Sequence, residues 1–265
     1  MTGEIAQACR FTSFGNAYLR GAPYDDGALR AGLAHVHALE FVANATWLGL
    51  TIPRVIARTP AAWFAALRAR GTQRLALLHG PPEAQPALRP ALAAFAGGAG
   101  AWLIAAHEPA RTTLWKSAWE LADVPRGSAA PWDVTYSGVT VRGLIPPHPA
   151  DLIATSHALD AALGDAIAYA IDEPGLARWI AWFERARAAL KSADPEAAVL
   201  APAIHPIGAR QLVAAAQCAW VFGGMMSWND YGAPDPAKQA RYAAVSAALF
   251  ASVIDAILAC VNALL

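Results

Sequence analysis

Beyond Pro149 the apolar residues of this chain recur every three to four positions, the interval of a helix with one buried face. Asp151 can cap a helix carrying Leu152, Leu159, Leu163, Ile167 and Ile171. Asp172-Glu173-Pro174 turns the chain, and Leu176, Trp179, Ile180, Phe183, Ala186 and Leu190 form a second stripe. A connector from Asp194 to Pro206 precedes a third helical stretch, Gly208 to Phe222. A long fourth opens at Asp235 as N-cap with Pro236 as first helical residue and runs to the end. This pattern predicts a C-terminal four-helix bundle over 149–265.

The first 148 residues are patterned differently. Up to Gly21 the pattern is weak, with Phe11, Phe14 and Tyr18 available to pack. From Asp26, the spacing of Leu29, Leu33, Val36, Leu39, Phe41 and Val42 predicts a helix, extendable through Asn44 to Leu50 and ended by Pro53. Val55 to Ala57 is short and apolar. Thr59 and Pro60 read as N-cap and first position of a helix through Trp63, Phe64 and Leu67 to Gly71. Arg74 to Leu78 and Ala101 to Ala106 read as strands, with a helix from Gln85 to Ala96 between them. Strand–helix alternation of this kind predicts an α/β portion over 1–148. Thr112 to Leu121 reads as helix because Trp115 and Trp119, like Lys116 and Glu120, are four apart. Val134 to Val141 reads as a β-hairpin within 133–142, turning at Ser137-Gly138. The break at Ile145-Pro-Pro-His-Pro149 is the expected boundary. The fold class expected is α+β, mostly α.

Composition narrows the function classes. Acidic and basic residues balance at 20 each, which removes the electrostatic footprint of a nucleic-acid binder. Charged residues make up only 15% of the chain, so a homodimer or a protein partner covering one face is expected. Cys9, Cys218 and Cys260 are widely spaced, without Cys-x-x-Cys, which argues against a disulfide framework or a thiolate zinc site. The N-terminus, with Glu4 and Arg10 and no apolar core, does not read as a secretory signal. Scarce lysine and abundant alanine and arginine suggest G+C-rich, bacterial coding. The apolar run from Tyr242 to Leu265 carries one narrow strip formed by Arg241, Ser252, Asp255 and Asn262, filled by Ala248 and Ala259. A spanning helix would bury Asp255 near mid-bilayer at about 2.5–3.5 kcal/mol. A mostly buried soluble helix and a cytoplasmic location are the better expectation.

The candidate chemistry is sparse. His37 with Glu40 and His157 with Asp160 are each three apart, so on helices each pair could chelate a metal ion. Hydrogen-bonded surface pairs explain the same spacing, and no cofactor is expected. The echo of His37-Ala-Leu-Glu40 in His157-Ala-Leu-Asp160 is cheap in so Ala- and Leu-rich a chain. No Gly-x-Ser-x-Gly, Gly-x-Gly-x-x-Gly or Walker sequence occurs, and Cys218 sits in an apolar stripe. His79 and His107 close predicted strands, where ligand loops are placed.

The strongest candidate is the elbow from Ala219 to Pro236. Its Trp228, Asn229, Asp230 and Tyr231 combine rigid aromatic area with directional polar groups, as a recognition loop would. The competing reading makes Trp228 a plug for the bundle end and Asn229 and Asp230 turn caps. The function expected is a non-catalytic cytoplasmic accessory protein, such as a toxin-neutralising or biosynthetic partner. The alternative is a metal- or small-molecule-dependent enzyme with its site between the two halves.

Overall fold

The stretch with the weakest hydrophobic pattern is the central helix. Gly3–Arg20 forms α1, and its buried residues include Gln7, Thr12, Ser13 and Asn16 as well as Ile5, Phe11 and Phe14. It lies between the sheet and the C-terminal helices, so little of its circumference meets water and no single apolar stripe is needed. The computed structural model describes residues 3–47, 50–80, 102–125, 127–142, 149–223, 227–233 and 235–264.

After α1 come α2 (Asp26–Ala31), β1 (Val36–Trp47), β2 (Leu50–Ala57), α3 (Pro60–Ala69), β3 (Arg74–His79), β4 (Trp102–Glu108), β5 (Arg111–Leu121) and β6 (Trp132–Val141). The strands form one six-stranded sheet in the order β2-β1-β6-β5-β4-β3. Only β1 and β6 pair in parallel; the remaining pairs are antiparallel. The fold is therefore α+β with a mixed sheet, and the βαβ alternation expected for residues 1–148 is corrected. Thr59 does cap α3, its hydroxyl accepting from the Ala62 N–H, with Pro60 in the first turn. The helix expected from Gln85 to Ala96 lies outside the described residues, as does the boundary at Pro146 to His148.

Three predicted elements are corrected, the first two for reasons of spacing. The helix expected from Asp26 to Val42 stops at Ala31, and the chain continues as β1. Leu39 and Phe41 alternate with less buried neighbours there, a period of two that the wider spacing concealed. Thr112 to Leu121 is strand β5, not helix. An interval of four is both one helical turn and an even number of strand positions, so Trp115 and Trp119 share a face in either structure. The hairpin at 133–142 is one continuous strand, β6. Gly138 is not its turn: a Cβ there would stand 3.0 Å from the Trp115 ring, so the glycine makes room for tryptophan. Trp115 joins Phe41, Trp63 and Tyr136 in the aromatic centre under α1, with Phe41 and Trp63 stacked at 4.4 Å.

The C-terminal helices are α4 (Leu152–Asp172), α5 (Ile180–Ala189), α6 (Ile207–Cys218) and α7 (Pro236–Asn262), with short 3-10 turns at Pro174–Trp179, Pro202–Ile204 and Trp228–Asp230. Asp151 and Asp235 cap α4 and α7 as expected. Helix α7 packs on α4, α6, β3 and α1. It is the one described helix long and apolar enough to cross a membrane, and 56% of its most apolar window is buried in the protein. Its polar strip faces solvent at Arg241, Ala248 and Asp255, then turns inward at Asn262.

That last residue closes the sheet. β3 is an edge strand, whose free N–H and C=O groups invite pairing with another chain. The Asn262 side chain accepts from the Leu77 N–H and donates to the Leu77 carbonyl, both at 2.9 Å. Asn16 of α1 does the same for Leu75, at 2.8 and 2.9 Å. Two carboxamides thus stand in for a seventh strand and join both ends of the chain to the sheet.

Candidate functional site

The elbow is built around its tryptophan. The Trp228 N–H donates to the Val221 carbonyl at 3.1 Å, which draws the two limbs of the loop together. Its ring is 0% exposed, edge-on to Phe183 at 5.2 Å and beside Tyr242, and the indole N–H donates to Ser246 Oγ at 2.7 Å. Tyr242 in turn donates to the Trp228 carbonyl. A recognition anchor would be exposed; this one is a plug. Phe222 is likewise buried against Phe250, while Trp220 is half-buried.

The polar members of the elbow serve its own architecture. The exposed Asp230 carboxylate accepts from the Ser227 N–H at 3.1 Å, and Asn229 is half-buried. Tyr231 donates to Glu173 Oε2 at 2.5 Å, and the Lys238 ammonium stands 2.7 Å from Glu173 Oε1. Lys238 and Tyr231 hold the Glu173 carboxyl below its ordinary range, and the carboxylate pushes Tyr231 up to about 12. This network ties the end of α4 to the elbow and to the first turn of α7.

The metal reading depended on two helices, and only one exists. His37 and Glu40 lie on β1, where residues three apart point to opposite faces, and this corrects the chelating geometry. His37 pairs with Asp133 at 2.8 Å and Glu40 with Arg58 at 3.0 Å. His157 is exposed on α4, and its neighbour Asp160 accepts two bonds from Arg187, at 2.7 and 2.9 Å. Among the described residues, no three His, Cys, Asp or Glu side chains converge as metal donors. With one copy in a strand and the other in a helix, the His-Ala-Leu-acid echo is not a structural repeat. Of the two strand-closing histidines, His79 packs on Trp102 and His107 is buried against Thr112.

Sequence spacing gave no hint of a buried seam. Ser13 Oγ lies 2.8 Å from His205 Nε2, and His205 Nδ1 lies 2.7 Å from the Ala263 carbonyl. A carbonyl can only accept, so Nδ1 carries the proton and the Ser13 hydroxyl donates to Nε2. These are the bonds of a Ser–His dyad, but Ser13 is 0% exposed and its oxygen also accepts from the Ala201 N–H at 2.7 Å. Burial lowers the His205 imidazole to about 4, so it is neutral. The arrangement is a tie between α1, the connector and the chain end, made from residues 192 positions apart.

Beside this seam the two portions of the chain leave a cleft of about 590 Å³. Phe14, Tyr24 and Ala28 line it from the N-terminal side, and Leu200, Pro202 and Arg210 from the C-terminal side. The Asp25 carboxylate, at its rim, is engaged as the cap of α2, accepting from the Gly27 N–H at 2.7 Å. A second hollow of about 680 Å³ lies across Ala198, bordered by Trp182, Arg185, Glu196 and Cys218. Cys218 is half-buried rather than sealed, and burial pushes its thiol up. The connector from Asp194 to Pro206, read in sequence only as a link, forms part of both walls. Its three prolines were the available signal, because they hold an irregular backbone in place. Comparison with models of protein families, with curated proteins and with solved structures finds no match in any of the three.

Proposed function

We propose that this protein is a cytoplasmic accessory protein that works by binding, and that its working surface is the cleft between the two portions of the chain. The observation that carries the reading is the shared lining of that cleft: Phe14 and Tyr24 from one portion, Leu200, Pro202 and Arg210 from the other. A concave, largely apolar surface with few polar groups at the junction of two portions is the usual setting of a binding site. In this reading the C-terminal helices act as a four-helix bundle that holds the connector against α1. The Ser13–His205 tie supports the wall and takes no part in chemistry. The same location suits the enzymatic alternative, with a site between the halves, but the nearest dyad is sealed beneath the surface.

Native mass spectrometry of the protein purified gently from a bacterial host tests this. The wild type is expected to carry a bound molecule or partner that the Ala203→Trp variant, whose indole fills the cleft, has lost. A control, Ala188→Trp in the second hollow, is expected to keep it. An adduct that survives Ala203→Trp, or wild-type protein that is never loaded, would overturn the proposal.

A further inference from the structure

Among the described residues the cleft combines apolar walls with one cation, Arg210, whose recorded ion pair is long. Arg210 lies on α6, half-buried, with 28% of its side chain exposed. Its guanidinium stands 3.8 Å from Asp194, a carboxylate whose side chain is 100% exposed. That separation is beyond hydrogen-bond length, and an exposed pair of this kind contributes little. A guanidinium offers five donors in a planar fork suited to a carboxylate. The other charge at the rim, Asp25, already accepts from the backbone of α2. The remaining lining named above, Phe14, Tyr24, Leu200 and Pro202, presents rings and aliphatic carbon together with the Tyr24 hydroxyl.

From this pairing we infer that the cleft binds a small monocarboxylate with an apolar body, such as a medium-chain fatty acid or an arylalkanoate. The inference rests on the reading of the cleft as the working surface. The ligand carboxylate replaces Asp194 on Arg210 with two parallel N–H···O bonds, and its hydrocarbon lies against Phe14, Tyr24, Leu200 and Pro202. The exchange is favourable because a bidentate, half-buried pair replaces a long, solvated one. A volume of about 590 Å³ falls in the range of small-molecule sites, roughly 300–1,000 Å³. A neutral analogue of the same length would keep the apolar contact and lose the fork.

Calorimetric titration of the whole protein with octanoate, 1-octanol and octylamine, each below its aggregation concentration, tests this. Octanoate is expected to bind about tenfold or more tighter than octanol, the scale of a charge-assisted hydrogen bond, and tighter than octylamine, whose counter-charge in the cleft, Asp25, is already engaged as a helix cap. Arg210→Gln should reduce octanoate to the level of octanol, Arg210→Lys should recover part of the difference, and Ala203→Trp should abolish binding of both. Circular dichroism identical to wild type keeps each variant interpretable. Equal affinity for octanoate and octanol, or octanoate binding unchanged in Arg210→Gln, overturns the carboxylate assignment while blockage by Ala203→Trp leaves the cleft standing. Failure of every probe to bind, or octanoate binding unaffected by Ala203→Trp, overturns the monocarboxylate inference, while the cleft as working surface stands or falls on the native mass spectrometry.

Discussion

The two ends of α7 are held by opposite kinds of polar contact. At its start, Lys238 and Tyr231 converge on Glu173, and Arg241 pairs with Asp172 at 2.9 Å on the surface. At its end, Asn262 holds the Leu77 backbone and the Ala263 carbonyl receives the His205 N–H. The wet end is held by charges, with the buried Glu173 carboxylate matched by the half-exposed Lys238 and by Tyr231. The dry end is held mainly by neutral groups, with one cation, Arg74, donating to the Asn262 carbonyl at 3.0 Å. The reason is the cost of desolvation: an ion taken out of water must be fully repaid, whereas an amide, a hydroxyl or a neutral imidazole needs only its hydrogen bonds. A bond made between buried groups leaves an unsatisfied group behind when it is broken, while the half-exposed Lys238 and the surface pair Arg241–Asp172 return to water.

The largest effect expected is at the dry plug beneath the wet end. Trp228→Ala should cost about 3–5 kcal/mol of unfolding free energy, the range for a buried aromatic. A loss confined to a few tenths would mean that the loop, with or without its tryptophan, contributes nothing to the core, and the plug reading would fall.

Acid should next separate the two ends. His205 titrates near 6.5 when unfolded and at about 4 in the fold, so below 6.5 the unfolded chain takes up the proton first. The stability it confers is complete above about 6.5, declines as pH falls, and is exhausted below about 4, a total of about 3 kcal/mol. His107, also lowered by burial and by Arg74, acts in the same direction. Urea unfolding at a series of pH values should show this slope in wild type and a shallower one in His205→Asn. Identical slopes would show that His205 is not a buried neutral group.

A smaller change sharpens the role of the edge. Asn262→Ala leaves the Leu77 N–H and C=O without their side-chain partners, which should cost about 1–3 kcal/mol. The uncovered strand should also increase self-association on size exclusion at high concentration. A monomer of unchanged stability would refute the closing role.

The smallest effect is expected at the elbow network. Tyr231→Phe should lower the thermal midpoint at neutral pH by less than Asn262→Ala does, because Glu173 keeps its ion pair with Lys238. Since Glu173 is held below its ordinary range, its contribution is present above the ordinary carboxylate range and lost as pH falls through its lowered value. Raising the salt concentration should weaken this contribution and leave the Asn262 effect unchanged. A Tyr231→Phe penalty as large as that of Asn262→Ala would erase the distinction between the two ends.

How much of this could be read beforehand depends on whether a contact is local. The caps at Thr59, Asp151 and Asp235 act within three residues, so they were visible in sequence and stand in the structure. The four C-terminal helical stretches were visible because each keeps one apolar stripe over several turns. The plug at Trp228 was one of two readings open for that loop, and burial decides between them. The cleft was not visible. Phe14, Tyr24, Leu200 and Arg210 come from four separate segments, and none carries a pattern that marks it.

By itself, then, the sequence determined whatever periodicity and end chemistry can encode: helix α3, the strands β3 and β4, the C-terminal helices, their caps, and the buried character of α7. Tertiary structure decided the rest. It made β5 a strand although its interval of four fits both periods, and β1 a strand although the apolar spacing leading into it was helical; in each, pairing with neighbouring strands decides. It kept β6 unbroken because Gly138 faces Trp115, a residue of another strand. It made α1 a helix in spite of its mixed face, because a segment surrounded by protein needs partners for its polar groups rather than a polar side. Ser13, Asn16, His205 and Asn262 found those partners at distances of 58 to 192 residues along the chain, where no local pattern reaches.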